Sequence, residues 1–225
     1  MQDLSKNKGF TIVELIVSIA IFAVMTALVV SRYGTFNQNT LLTNVAYDMA
    51  LTIRTAQSYG LSVKSSDSAA NSFGSAYGVH FDMSKPTKFV LFADTNKNGY
   101  YEDPANSGVD QNITTYTLTS GVTISKICLA VTQSSCQSPS SNLLASSDAL
   151  DITFRRPNPD AILYCVSNTN AGATCSIIAA VSIGNAPPNI NPVTQPIAFI
   201  TLISSDKSNS QVVIVRRNGQ ISVNN

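Results

Sequence analysis

A run of acidic and amide side chains in the first half of the chain has the spacing of a calcium ligand set. Alternating oxygen-bearing residues ahead of Gly99 match the first half of a D-x-N-x-N-G calcium loop. The twelfth position is Ala105, however, where such a loop needs a bidentate glutamate. The run predicts either a Ca²⁺ site or, as the simpler alternative, a hairpin with an Asn-Gly turn between strands 88–93 and 114–118. The candidate ligands are Asp94, Asn96, Asn98 and Glu102, with Asp103 and Asp110 close behind.

Four cysteines form a second group of residues that could do chemistry, either as disulfides or as metal ligands. They are spaced C-x7-C and C-x9-C with no nearby histidine, which is not the ligand spacing of a zinc site. If this part of the chain is exported, disulfides are the expected state, and four cysteines allow three pairings. The spacing favours Cys128–Cys136 and Cys165–Cys175, each closing a short polar loop.

The remaining polar groups give little support for catalysis or for DNA binding. The single histidine, His80, has Asp82 two residues away on the same face of a predicted strand, and no serine stands in a nucleophile elbow. We therefore do not expect an enzyme. Arg216 and Arg217 precede Asn218-Gly219 at a predicted hairpin tip, where two charges would hold DNA phosphates only weakly. A solvated turn is the simpler interpretation, so we do not expect DNA to be a partner.

Composition narrows the class of protein. Charged residues make up 12% of the 225, against about 25% in a typical globular chain. Lys+Arg number 14 and Asp+Glu 13, which excludes a nucleic-acid binder that works by bulk basic charge and an acidic solvating chain. A mean hydropathy of +0.12 also excludes intrinsic disorder.

One segment carries much of this apolar character. Residues 10–30 read FTIVELIVSIAIFAVMTALVV, with Glu14 as the one charged residue. At about 1.5 Å per residue the run spans the ~30 Å hydrocarbon core of a bilayer. Lys6 and Lys8 precede it, so the leader is expected in the cytoplasm and the remainder outside. A secretory signal peptide, the alternative, would have an apolar core of only about 7–15 residues.

Glu14 is the residue in this run that needs an explanation. A carboxylate at mid-bilayer costs about 2.5–3.5 kcal/mol and usually has a partner, although one near the interface can reach water. Cutting the chain after Gly9 would give Phe10 a free ammonium group, which the Glu14 of a neighbouring subunit could neutralise.

The stretch KGFTIVEL at 8–15, followed by the apolar run, resembles the class III leader of type IV pilins and type II secretion pseudopilins. The resemblance implies that a prepilin peptidase cuts between Gly9 and Phe10 and methylates Phe10. It further implies that Glu14 guides docking into a growing filament. The implied partners are the prepilin peptidase, other pilin or pseudopilin subunits, the inner-membrane assembly platform and, before assembly, membrane lipid.

The rest of the pattern predicts an α+β fold. No proline occurs before Pro86, and apolar side chains recur at helical spacing beyond the membrane run, which predicts one helix from about 10 to about 60. This stripe consists of Leu42, Val45, Met49, Ile53 and Ala56. Strand-like segments follow, so that we expect the outer half of the helix to cover one face of an antiparallel sheet. We predict a leader at 1–9, a transmembrane or filament-core helix at 10–30, its amphipathic continuation at 31–60 and a β-rich head at 61–225. The predicted strands are Tyr77–Asp82, Lys88–Ala93, Thr114–Leu118, Val122–Val131, Leu150–Arg155, Ala161–Val166, Ser176–Ile183, Ile197–Ile203, Gln211–Val215 and Gln220–Val223.

Looser matches point to a subfamily. The segments 46–58, 92–99 and 212–223 resemble the H-type minor pseudopilins and their minor-pilin relatives. Some of those relatives bind DNA through arginines just after the hairpin glycine, where this chain has Gln220-Ile221-Ser222. The expected function is a structural filament subunit, membrane-anchored before assembly and then extracellular or periplasmic. A head that binds DNA or a surface, and a membrane-anchored module that never polymerises, are the alternatives.

Overall fold

The computed structural model describes residues 9–62, 74–106, 109–130, 133, 149–166 and 197–224, apart from the side chains at 32–36 and 165–166. The chain divides into two compact units, Met1–Thr40 and Leu41–Asn225. Its fold is α+β, with one long helix in the described residues followed by antiparallel strands.

Helix α1 runs from Ile12 to Leu61 and has 50 residues, as the unbroken apolar and periodic pattern predicted. Thr11 caps its start, because the Thr11 hydroxyl accepts the backbone N–H of Glu14 at 3.3 Å. In the second unit, the predicted apolar stripe from Leu42 to Ala56 is buried, whereas Asp48 and Arg54 are exposed. The burial of this stripe fixes which face of the helix packs on the head.

The described residues of the head form two antiparallel sheets instead of the one expected. The five-stranded sheet has the order β3-β2-β1-β5-β6, and the four-stranded sheet has the order β4-β7-β8-β9. The strands divide into two sheets because distant strands pair with each other. For example, β1 pairs with β5, which lies about 70 residues later in the chain. The strands are β1 (Ala76–Asp82), β2 (Lys88–Asp94), β3 (Gln111–Thr117), β4 (Thr123–Ala130), β5 (Ala149–Arg155), β6 (Asn158–Val166), β7 (Ile197–Ile203), β8 (Ser210–Arg216) and β9 (Ile221–Asn224).

A single apolar core joins the buried helix stripe to both sheets. Phe81 and Phe154 contribute from the five-stranded sheet, and Ile200 and Val213 from the four-stranded sheet. Both sheets thus depend on the outer half of α1 for part of their apolar cover. A smaller cluster of buried residues, separate from this core, includes Cys128 and Phe199.

Nine of the ten predicted strands are present with ends shifted by at most a few residues. The tenth, Ser176–Ile183, lies outside the described residues. Strands β2 and β3 do pair, but a tight Asn-Gly turn does not connect them. Instead, the described residues between Asp94 and Gln111 include a short 3₁₀ turn, Pro104–Asn106, and no strand. We call residues 95–106 and 109–110 the acidic loop.

Candidate functional site

The predicted cleavage site lies in an open segment just ahead of the helix. Gly9 and Phe10 precede the first helical residue, Ile12, and the Phe10 side chain is 84% exposed. A Cβ placed on Gly9 would meet nothing within 4 Å. The fold of this chain therefore does not itself require glycine at position 9.

Glu14 lies in the first turn of α1, where the helix dipole favours negative charge. Its backbone N–H is held by the Thr11 hydroxyl, and the spacing Thr11-x-x-Glu14 is that of a capping box. The residue therefore suits the start of the helix independently of any role between subunits. The sequence reasoning missed this capping signal, which the T-x-x-E spacing would have provided.

The first part of α1 exposes a continuous apolar surface. Residues Ile12–Ser31 have a mean hydropathy of 2.6. This segment of the helix is long enough and apolar enough to cross a membrane. The Ser18 and Thr26 hydroxyls donate to the carbonyls of Glu14 and Phe22, at 2.7 and 2.8 Å. Because these hydroxyls are satisfied within the helix, they do not oppose burial in lipid or among apolar helices.

Asp94 holds the start of the acidic loop from inside the head. Its side chain is fully buried, and its two carboxylate oxygens accept the backbone N–H groups of Asn98 at 3.1 Å and Gly99 at 2.9 Å. Lys97 and Gly99 both have positive φ, which turns those amides toward the carboxylate. Burial raises the pKa of Asp94, and the backbone hydrogen bonds oppose that rise.

Two more buried carboxylates fasten the rest of the acidic loop. Asp110 accepts the N–H groups of Thr95 at 3.1 Å and Glu102 at 2.8 Å. Asp151, on β5, accepts the N–H of Tyr101 at 3.1 Å. Because these three carboxylates bind backbone amides spread along the loop, they fix its path over the sheet.

The predicted calcium ligands are brought only partly together. Asn96 donates to a Glu102 carboxylate oxygen at 2.6 Å, whereas Asp94 is directed at the backbone of its own turn. The Asn98 side-chain oxygen accepts the N–H of Tyr100 at 3.1 Å. In the described part of the chain, no three His, Cys, Asp or Glu side chains are grouped as a metal site. The geometry accounts for the loop through backbone hydrogen bonds, and calcium binding stays a prediction.

His80 is paired with an acid from a neighbouring strand. Its Nδ1 lies 2.6 Å from Oδ1 of Asp151, the residue opposite it on β5. The imidazole also packs on the Tyr101 ring, with the centroids 4.5 Å apart. Burial raises the pKa of Asp151, and the hydrogen bond from His80 opposes that rise. Since Asp151 also binds the Tyr101 amide, the pair secures the loop to the sheet.

Of the four cysteine side chains, the structure describes only that of Cys128. Cys128 lies on β4, is buried and is disulfide-bonded. The side chains of Cys136, Cys165 and Cys175 lie outside the described residues, so both proposed pairings stay predictions.

Arg216 ends β8 and Arg217 lies in the turn to β9, where the Gly219 N–H donates to the Arg216 carbonyl at 2.9 Å. This is the hairpin tip that the sequence predicted.

Acidification is expected to stabilise the head through Asp110. Burial raises the pKa of this carboxyl to about 6, the Glu102 and Thr95 amides lower it, and the nearby carboxylates of Asp94 and Glu102 raise it. An unfolded aspartate has a pKa of about 3.9. Between about pH 4 and pH 6 the folded chain therefore binds the proton more tightly, so its free energy of unfolding falls as the pH rises.

Thermal unfolding of the full chain in a neutral detergent checks this expectation. The midpoint should be higher at about pH 5 than at about pH 7, and Asp110→Asn should reduce that difference. Asp103→Asn, which changes a half-buried carboxylate in the same loop, is the matched control. An unchanged pH dependence in Asp110→Asn would exclude Asp110 as its source.

Comparison with known proteins adds one match, at the N-terminus. Residues 4–30 match the family model of the prokaryotic N-terminal methylation motif. No curated protein and no solved structure matches the chain. The match supports a class III prepilin leader of the type IV pilin kind, on a precursor that prepilin peptidase processes. The match covers most of the predicted leader and the apolar run that follows it.

Proposed function

We propose that the chain is a structural subunit of a type IV pilus or a type II secretion pseudopilus. Prepilin peptidase would cut between Gly9 and Phe10 and methylate Phe10, and α1 would then pack among the helices of other subunits. The methylation motif at residues 4–30 carries this proposal. The exposed cleavage segment and the unburied apolar surface of Ile12–Ser31 are consistent with it.

The position of Glu14 supports a role in assembly. Cleavage leaves a positively charged amine at Phe10, and a carboxylate moved from lipid into an apolar helix bundle needs such a partner. The amine and the Glu14 of a neighbouring subunit would neutralise each other. This pairing would favour docking of a new subunit in one register over simple diffusion in the bilayer.

The location of the subunit follows from the same steps. Before assembly the chain would be a single-pass membrane protein, with its leader in the cytoplasm and its head outside, and the assembly platform would then move it into an extracellular or periplasmic filament. The head would provide surface or tip contacts, and we assign it to the H-type minor pseudopilins and their minor-pilin relatives. In an exported head the two disulfides and a Ca²⁺ ion held by the acidic loop would add stability.

Neutralising Glu14 is expected to block incorporation while leaving the subunit in the membrane. Glu14→Gln keeps a side chain suited to the capping box but removes the charge, and Glu14→Ala removes both. Both variants should reduce the amount of subunit in sheared filaments roughly tenfold or more, because an uncompensated buried charge costs several kcal/mol. Immunoblots of the filament and membrane fractions of the native cell measure this loss.

A matched variant separates assembly from capping. Thr11→Ala removes the capping hydroxyl and keeps the carboxylate, and it should incorporate nearly normally. Incorporation of both Glu14 variants at the wild-type level would refute the docking role. A loss in Thr11→Ala equal to that in Glu14→Gln would assign the effect to the start of the helix and would also refute it.

A further inference from the structure

A cavity of about 240 Å³ lies on the head between two hairpin turns. One turn connects β5 to β6, and the other connects β8 to β9. Three guanidinium groups and one carboxylate supply the charged side chains around it, those of Arg155, Arg156, Arg217 and Asp160. The excess of positive charge distinguishes this cavity from the near-neutral chain as a whole.

The two turns are held to each other and to the helix. The Ala161 N–H donates to the Arg217 carbonyl at 2.7 Å. The side-chain amide of Gln57, on α1, donates at 3.1 Å to the carbonyls of both Pro159 and Gly219. A Cβ on Gly219 would collide with the Pro159 carbonyl, so glycine is needed for this close approach. The backbone that carries the arginines is thus fixed before any ligand arrives.

The arginines of the cavity form no close ion pair with a described residue, even though Asp160 lines the same cavity. Arg155 does lie near enough to the buried Asp94 for its positive charge to lower the pKa of that carboxyl, which leaves Arg156 and Arg217 as the guanidinium groups with no described acidic partner. All three are half-buried, which reduces the screening of their charges by water. The ammonium group of Lys97 and a guanidinium nitrogen of Arg156 both lie within 4 Å of the position that a Cβ on Gly74 would take, so Lys97 is close to Arg156 although it does not line the cavity.

We propose that this cavity binds the phosphate group of a small ligand, either inorganic phosphate or a phosphomonoester. Guanidinium groups present N–H donors in a planar fork that matches phosphate oxygens, and a doubly charged tetrahedral anion would satisfy several of them at once. A long nucleic acid would need a basic stripe extending along the surface, whereas these three arginines line a single cavity. The proposal is independent of whether the chain assembles into a filament.

Isothermal titration calorimetry of the full chain in a neutral detergent tests the site. The probes are inorganic phosphate and glycerol 3-phosphate, each titrated against a chloride background. We expect saturable binding with one ligand per chain, and a rise in the thermal unfolding midpoint as the ligand is added. Binding of both probes identifies a phosphomonoester site, and binding of phosphate alone identifies a site for the free anion.

The double variant Arg156→Gln/Arg217→Gln should bind phosphate about tenfold or more weakly than the wild type, because charge-assisted hydrogen bonds to phosphate are lost. Lys88→Gln/Arg216→Gln changes the net charge by the same amount outside the cavity lining and should bind like the wild type. Unfolding midpoints of both variants verify that they fold.

Three results would overturn the proposal. The first is no heat and no stabilisation at tens of millimolar phosphate. The second is an equal loss of binding in the two double variants, since this would mean that net charge alone attracts the anion. The third is binding of long DNA without binding of either small probe, which would assign the arginines to nucleic acid.

Discussion

Replacing Gly9 by valine is expected to leave the unprocessed chain, with its leader still attached, in the membrane. In this structure a side chain at position 9 meets nothing within 4 Å, so the substitution costs the fold nothing. The chain around the Gly9–Phe10 bond is also open and non-helical, as a peptidase needs in order to bind an extended substrate. A loss of cleavage in Gly9→Val would therefore reflect failed recognition by the prepilin peptidase and not misfolding of the chain.

Intact-mass spectrometry of the subunit from its native cell measures the outcome. The wild type should begin at a methylated Phe10, and nearly all of the Gly9→Val chain should begin at or next to Met1. Thr11→Ser, which lies on the other side of the cleavage site and keeps a capping hydroxyl, should be processed normally. A wild-type chain that retains Met1, or a Gly9→Val chain that is processed as fully as the wild type, would defeat the prepilin interpretation.

The long helix was predictable because its signals are local. An apolar run without proline leads into a stripe with helical spacing, and both the predicted span of about 10–60 and the observed span Ile12–Leu61 follow from that pattern. Strand β7 is likewise apolar except for Thr201 and was predicted with its observed ends. The division into two sheets was not predictable in this way, because β4 pairs with β7, whose residues lie about seventy or more positions further along the chain. No turn signal encodes such a pairing.

In the acidic loop, too, the contacts between residues far apart in the chain could not be predicted from sequence spacing. The spacing of Asp94, Asn96 and Asn98 predicted either a Ca²⁺ site or an Asn-Gly hairpin, whereas in the structure Asp94 accepts backbone amides of its own loop. The contribution of Asp151 was not visible, because it lies 71 residues from His80 and meets it only through the register of β1 and β5. The sequence therefore singled out Asp94 as a candidate ligand but not as a hydrogen-bond acceptor for the loop, and the strand register that brings Asp151 to the loop is seen only in the fold.

Asp94→Ala is expected to destabilise the head by about 2 kcal/mol. The substitution leaves the buried N–H of Gly99 without its carboxylate acceptor, a loss that costs roughly 1–3 kcal/mol, whereas the partly buried N–H of Asn98 keeps the side-chain oxygen of Asn96 as a second acceptor. Burial raises the pKa of Asp94, so the ionised carboxylate already bears a desolvation cost that offsets part of this loss. Urea unfolding of the full chain in neutral detergent, with EDTA present, measures the change.

The control lies two residues along the same loop. Asn96 is exposed, and although its side-chain oxygen also accepts the Asn98 N–H, that amide keeps Asp94 as a partner in Asn96→Ala. This variant should therefore lose less than about 1 kcal/mol. Equal losses in the two variants would contradict the dominant role of Asp94. Repeating the unfolding with millimolar Ca²⁺ tests the metal prediction, because an ion held by this loop would stabilise the wild type and have little effect on Asp94→Ala. If Ca²⁺ stabilises neither chain, Asp94 acts on the loop through its backbone amides alone.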